Sequence, residues 1–214
     1  MKSIAIGLHL DREDVEPVAK AVAASGLFVS AVDVEDDQPL SDRDLLLRVA
    51  SVRAKLLERA TFVAVRYGFT FRSSKEAESK IAENATRWRQ TLMENRNRVE
   101  LTLKIVATDA QPKPDRHDFK SGADYLHALH DAKNAAVVSD AFKAAVEKHL
   151  GSLCTAHRWM TRDSSSIEFA ALIDRDSLGS LPSAGESLKR ACPEVPFLLS
   201  APWPLEVFAD VDHE

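Results

Sequence analysis

The sequence predicts an α+β fold built from two α/β domains, the C-terminal one ferredoxin-like. Three observations carry this. Runs with strand patterning alternate with apolar stripes at helical spacing along the whole chain. The second half spells β-α-β-β-α-β, the order of a four-stranded antiparallel sheet with both helices on one face. The 214 residues, 45% hydrophobic and 29% charged, suit one large or two small domains with a real core. The split falls near Asn95–Asn97, giving an N-terminal α/β domain over 1–96 and a ferredoxin-like domain over 97–214.

In order, "SIAIGLHL" (3–10) alternates and predicts a strand. Asp11 can cap a following helix in which Val15, Val18, Ala19 and Val22 recur at helical spacing, with Ser25-Gly26 as its stop. "LFVSAVDV" (27–34) is the second strand. Ser41 and Asp44 resemble a capping box ahead of the stripe Leu45, Val49, Val52 and Leu56. "TFVAVRYGFTF" (61–71) is a third strand, interrupted at Gly68. Ser73 and Glu76 open a helix whose stripe is Ala77, Ile81, Ala85, Trp88 and Leu92. "RVELTLKIVAT" (98–108) puts Val99, Leu101, Leu103 and Ile105 on one face and Glu100, Thr102 and Lys104 on the other. A long helix is expected from about Lys120 to Leu150, with Leu126, Leu129, Val137, Phe142 and Val146 inward. Strands follow at 152–160 and 165–174. A helix weakened by Pro182 and Gly185 covers 177–191, and a last strand covers 196–201. Pro202 and Pro204 lack a backbone N–H, so the sequence predicts that they end that strand.

Net charge is −5 with both signs mixed along the chain. A nucleic-acid binder usually carries a basic face, and an anionic membrane surface favours polybasic segments. Both partners are therefore disfavoured. The N-terminus is not a signal peptide, since its apolar run is short and broken by His9. No window approaches the roughly 18 apolar residues of a membrane span. Cys154 and Cys192 lie far apart and form neither a disulfide framework nor a zinc spacing, which fits thiols in a reducing cytoplasm.

No nucleophile elbow, P-loop, dinucleotide fingerprint, C-x-x-C or H-E-x-x-H occurs, and seven glycines leave no Gly-rich phosphate cradle. These absences lower the expectation of an enzyme without excluding one; no cofactor and no small-molecule substrate are expected. One metal candidate stands out. Asp124, His127, His130 and Asp131 fall three, three and one apart on a helix, where two or three side chains could converge. A solvated helix face explains the same residues. Arg66 inside an apolar strand must be paired or reach solvent. It is either an anchor for a carboxylate partner or a strand-end residue bridging the domains. Glu168 is expected to face solvent. Trp203 is either a lid over the second core or an anchor in a protein interface.

Three stretches, in order, resemble the gas-vesicle protein L/F family (GvpL/GvpF). "VAVRYGFTF" carries Arg66, Tyr67, Gly68 and Phe69, with Phe71 beyond. "NRVELTLKI" followed by "SGADYL" carries Glu100, Tyr125 and Leu126. "FAALIDRDSL…FLLSAPWPLEVF" carries Pro202, Trp203 and Pro204. The chain departs from the family pattern at Ala201, where glycine is usual, and at Leu205-Glu206-Val207-Phe208, where a Pro-Tyr-Ser-Phe-like run is usual. The resemblance implies two α/β domains, the second ferredoxin-like. It implies a cytoplasmic, non-enzymatic, minor component of prokaryotic gas vesicles that aids shell assembly. Expected partners are the small hydrophobic shell protein and other accessory proteins, met at the Tyr67–Phe71 edge and the Trp203 corner. The alternative is a ferredoxin-like ligand-binding or regulatory module without a gas-vesicle role.

Overall fold

The computed structural model describes residues 1–106, 115–134, 138–163 and 166–209, with the side chains of 106, 130–134 and 162–163 also outside the description. Two compact units emerge. One is Met1–Val99 with the terminal stretch from Pro202; the other is Glu100–Ala201. The sequence assigned that terminal stretch to the second domain.

The first unit is built on β1 (Lys2–His9), β2 (Lys20–Ala24), β3 (Leu27–Val34), β4 (Val63–Ala64) and β5 (Thr70–Phe71). The order is β2-β3-β1-β4, with β5 also on β1, and the pairs are antiparallel. Helices α1 (Arg43–Arg59), α2 (Ser74–Ile81) and α3 (Ala85–Glu94) complete it. β1 is central and buried on both faces. α1 and α3 both contact it.

Two readings of this half change. The helix expected after Asp11 is a short 3-10 turn, Arg12–Asp14, followed by β2. Ser25 (φ 49°) and Gly26 (φ 77°) both take left-handed backbone, and Ala24 pairs with Leu27 across them. The pair that read as a helix stop is therefore a two-residue hairpin turn of the kind strand twist favours. Alternation of Val22 and Ala24 into the core decided for strand. The single third strand is β4 and β5, separated at Gly68 (φ 94°). α1 is capped by Asp42, whose carboxylate accepts Leu45 N at 2.9 Å, not by Ser41. The Ser73 cap is as expected, with Glu76 N donating to its hydroxyl at 3.2 Å.

The second unit holds β6 (Arg98–Val106, shared at its start with the first), α4 (Gly122–Asn134), α5 (Asp140–Leu150), β7 (Cys154–Asp163), β8 (Ser166–Asp174), α6 (Leu181–Ala191) and β9 (Phe197–Trp203). Its sheet order is β7-β8-β6-β9, and α5 packs on α6. β8 is buried along most of its length, as a central strand should be.

Here too the sequence needs correction. The long helix is two helices. Ser139 restarts the second by accepting Phe142 N at 3.2 Å. Leu126, expected inside, is 65% exposed, and Val137 lies outside the described residues. Glu100, expected at the solvent face, is 2% exposed. Glu168 is half-buried and has an interaction partner. β9 runs through Pro202 to Trp203. That is possible because β9 is an edge strand, where a missing N–H costs no ladder bond. Trp203, read as either a core lid or an interface anchor, is 45% exposed.

The Ser139 cap gives a direct test. α5 carries Phe142, Val146 and Leu150 into the core, and the cap satisfies an otherwise free N–H. Ser139→Ala is expected to cost about 1 kcal/mol, read from the midpoint of urea denaturation at unchanged slope.

Candidate functional site

The family-motif residues fall at the end of β4. Val65 N still bonds Ile6 O at 3.2 Å, and then Phe69 N closes a turn on Arg66 O at 3.2 Å. The turn needs a left-handed residue, which Gly68 supplies without a Cβ penalty. It turns Arg66 and Tyr67 outward. Tyr67 is 38% exposed, and its hydroxyl donates to Leu40 O at 2.6 Å, so the ring is held from one end. Phe69 lies under the Lys80 ammonium, 5.5 Å from its ring centre. Phe71 is a core residue at 2% exposure.

The other edge of β4 receives the end of the chain. Leu205 N donates to Phe62 O at 2.9 Å, and Ala64 N to Leu205 O at 2.8 Å, a parallel bridge between Val63 and Leu205. Pro204 biases Trp203 to extended backbone and is itself buried. The prolines therefore deliver an extended Leu205 to this edge. Leu205 is fully buried. Four residues on, Ala209 O accepts an Arg87 N–H at 2.9 Å.

These segments border a cleft of about 510 Å³ within the first unit. Arg66 and Tyr67 come from the β4 turn, Arg53 from α1, and Arg87 and Trp88 from α3. Glu206 follows the Leu205 bridge. Arg66 is exposed. Arg53 and Arg87 are half-buried, and the Nε of each is buried without a hydrogen-bond partner. Among the described residues none of the three arginines has a carboxylate partner, although salt bridges elsewhere are plentiful. Arg66 therefore reaches solvent, with no acidic partner among the described residues.

The remaining motif residues are dispersed. Glu100 starts the second unit. Tyr125 packs its ring on Phe119 at 5.9 Å and under Arg116 at 5.5 Å. Trp203 is open to solvent. Of the metal candidate, Asp124 is engaged at its helix start, accepting from the Ser121 hydroxyl at 2.7 Å, and His127 is exposed. The side chains of His130 and Asp131 lie outside the described residues. Among the described residues no group of three or more His, Cys, Asp or Glu is placed to hold a metal. Cys154 and Cys192 are free thiols, and burial pushes Cys154 up to about 11, far from a reactive thiolate. No helix among the described residues is long and apolar enough to cross a membrane.

The sequence singled out Arg66 and Tyr67 but missed Arg53, Arg87, Trp88 and Glu206. Trp88 read as core stripe, and no spacing links positions 53, 87 and 206. Only the fold brings them together.

Known proteins resemble this chain in sequence pattern and in fold. The family model described as gas vesicle synthesis protein GvpL/GvpF matches residues 11–209. The crystal structure of gas vesicle protein GvpF from Microcystis aeruginosa superposes with a TM-score of 0.73 at 12% identity, covering 98% of this chain and 99% of that one. That of GvpF from Anabaena sp. PCC7120 gives 0.68 at 14% identity, covering 99% and 97%. No curated protein matches the sequence.

Proposed function

The chain belongs to the gas vesicle synthesis protein GvpL/GvpF family, and on that premise we propose that it is a minor structural and accessory protein that helps assemble the gas-filled shell. It does so as a cytoplasmic protein associated with the vesicle, by holding the small hydrophobic shell protein and other accessory proteins. It performs no catalysis. We read its second unit as ferredoxin-like, on the element order β-α-β-β-α-β and the strand order β7-β8-β6-β9.

The family match over residues 11–209 is the observation that supports this role. The physical need is plain. A shell that faces gas must present apolar surface, and such a protein aggregates unless it is captured first. The motif surface around Arg66 and Tyr67, with Trp203, supplies exposed aromatic and cationic groups of the types that dominate protein interfaces. Phe71, being buried, supports that surface from within.

The test is co-purification. A tagged chain is co-expressed with the shell protein and accessory proteins of its own genome. Recovery of the shell protein after washing is expected, with Tyr67→Ala and Trp203→Ala reducing it. A well-folded chain that recovers none of these proteins overturns the assembly role.

A further inference from the structure

We infer that the cleft beside β4 docks an acidic peptide segment of a partner protein, one whose carboxylates meet Arg53, Arg66 and Arg87 while an apolar neighbour rests against Trp88. This identifies the chemistry of one partner contact and rests on the assembly reading for the partner's biological identity.

Charge carries the inference. The chain is net negative, at −5, yet three arginines line one cleft of about 510 Å³ against a single carboxylate, Glu206. None of the three is ion-paired among the described residues, and two present a buried guanidinium Nε with no hydrogen-bond partner. Guanidinium is suited to carboxylate, which it can meet with two parallel hydrogen bonds.

The remaining lining selects a peptide over a free anion. Trp88, Tyr67 and the aliphatic Val63 and Val65 are cleft residues, and a bare phosphate would leave that surface unused. Arginine, tryptophan and tyrosine together form the composition of an interface hot spot. Glu206 disfavours a densely charged polyanion, which fits the net charge of −5.

The probe is a fluorescein-labelled peptide, Gly-Glu-Leu-Glu-Leu-Glu-Gly, titrated with the full chain and followed by anisotropy. A peptide with lysine for glutamate is the control. Saturable binding of the glutamate peptide alone is expected, weakening at least tenfold in Arg53→Gln/Arg66→Gln and again between low and 0.5 M salt. Arg87 is left intact because it also ties down Ala209. Melting curves verify that the variant folds. Equal binding of both peptides, or unchanged affinity in the variant, overturns the inference. So does a gain in affinity on removing residues 210–214, which would place the occupant in the chain's own acidic end. Self-association abolished by Arg66→Gln would assign the cleft to a second copy instead. Co-purification of the shell protein with the same variant separates the two ideas. Peptide binding with no recovered shell protein by the parent chain defeats the assembly role and leaves the cleft chemistry standing.

Discussion

Gly7→Ala is expected to destabilise the first unit by about 3 kcal/mol, the upper end of what overpacking a core costs. A Cβ at position 7 would lie 2.3 Å from Cδ2 of Phe62 and 2.9 Å from its Cε2. The ring cannot step aside. It is fully buried, the His9 imidazole stacks on it with centroids 5.0 Å apart, and its own carbonyl holds Leu205. Gly7 also sits where the β1–β3 register shifts, beside a bulge, so backbone adjustment there disturbs the ladder. Urea denaturation and amide exchange along β1 and β3 would register the loss. Phe62→Leu, which removes the obstructing ring atoms, should partly rescue Gly7→Ala, with a coupling of at least about 1 kcal/mol in the double-mutant cycle. Gly179→Ala is the control, since nothing lies within 4 Å of its Cβ position, and it should be near neutral. A Gly7→Ala chain as stable as its parent would show that β1 and Phe62 are not locked together.

Gly7 also shows what the sequence could disclose. Its neighbours announce a strand, but the need for glycine comes from a ring 55 positions away. The same holds for much of the fold. Segments with strong local patterning, such as β3, α1 and the inward face of β6 from Leu101 to Ile105, could be read directly, because burial follows period two or period 3.6. Failures came where two structures share one local pattern. "KAVAASG" fits a helix end or a hairpin equally well, and only pairing with β3 separates them. Leu126 fell on an inward stripe because one continuous helix was assumed; the chain restarts at Ser139, and no described side chain of α4 is buried. Glu100 is the hardest case, a charge in an alternating strand that the register alone places outside and the structure places inside. The cleft was half legible. Arg66 in an apolar run is anomalous on sight, and Pro202-Trp203-Pro204 marks an unusual chain path. That the path ends by laying Leu205 along β4, and that α1 and α3 then add Arg53 and Arg87, are properties of tertiary packing with no trace in spacing.

The second large effect concerns His9, which the sequence showed only as a break in an apolar run. It is fully buried in β1. Its Nε2 lies 3.0 Å from the Ser30 hydroxyl, and that hydroxyl donates its one proton to Gly7 O at 3.2 Å. Nε2 must therefore carry the imidazole proton and donate to Ser30. Nδ1 is left bare and has no partner. A second proton would have to sit on Nδ1, in an apolar interior with nothing to accept from it. Burial accordingly lowers the pKa from 6.5 to about 3. The unfolded chain takes up this proton as pH falls through 6.5, while the folded chain refuses it until about 3. The stabilisation is thus complete above pH 6.5 and is lost progressively below it. Between 6.5 and 5 the loss should reach about 2 kcal/mol, from 1.36 kcal/mol per unit. Carboxylates with lowered pKa values, such as Asp33 behind the Ser3 and Lys20 hydrogen bonds, act only at lower pH and leave this window clear. Asp14, whose carboxyl burial raises, works in the opposite direction, so it can only blunt the slope. His9→Gln keeps a donor for Ser30 but cannot titrate. It loses the ring stack on Phe62 and should be less stable at pH 7, yet its stability should change little from pH 7 to 5. Equal acid sensitivity in the two proteins would mean that His9 takes up its proton in place, with Nδ1 reaching a partner when charged.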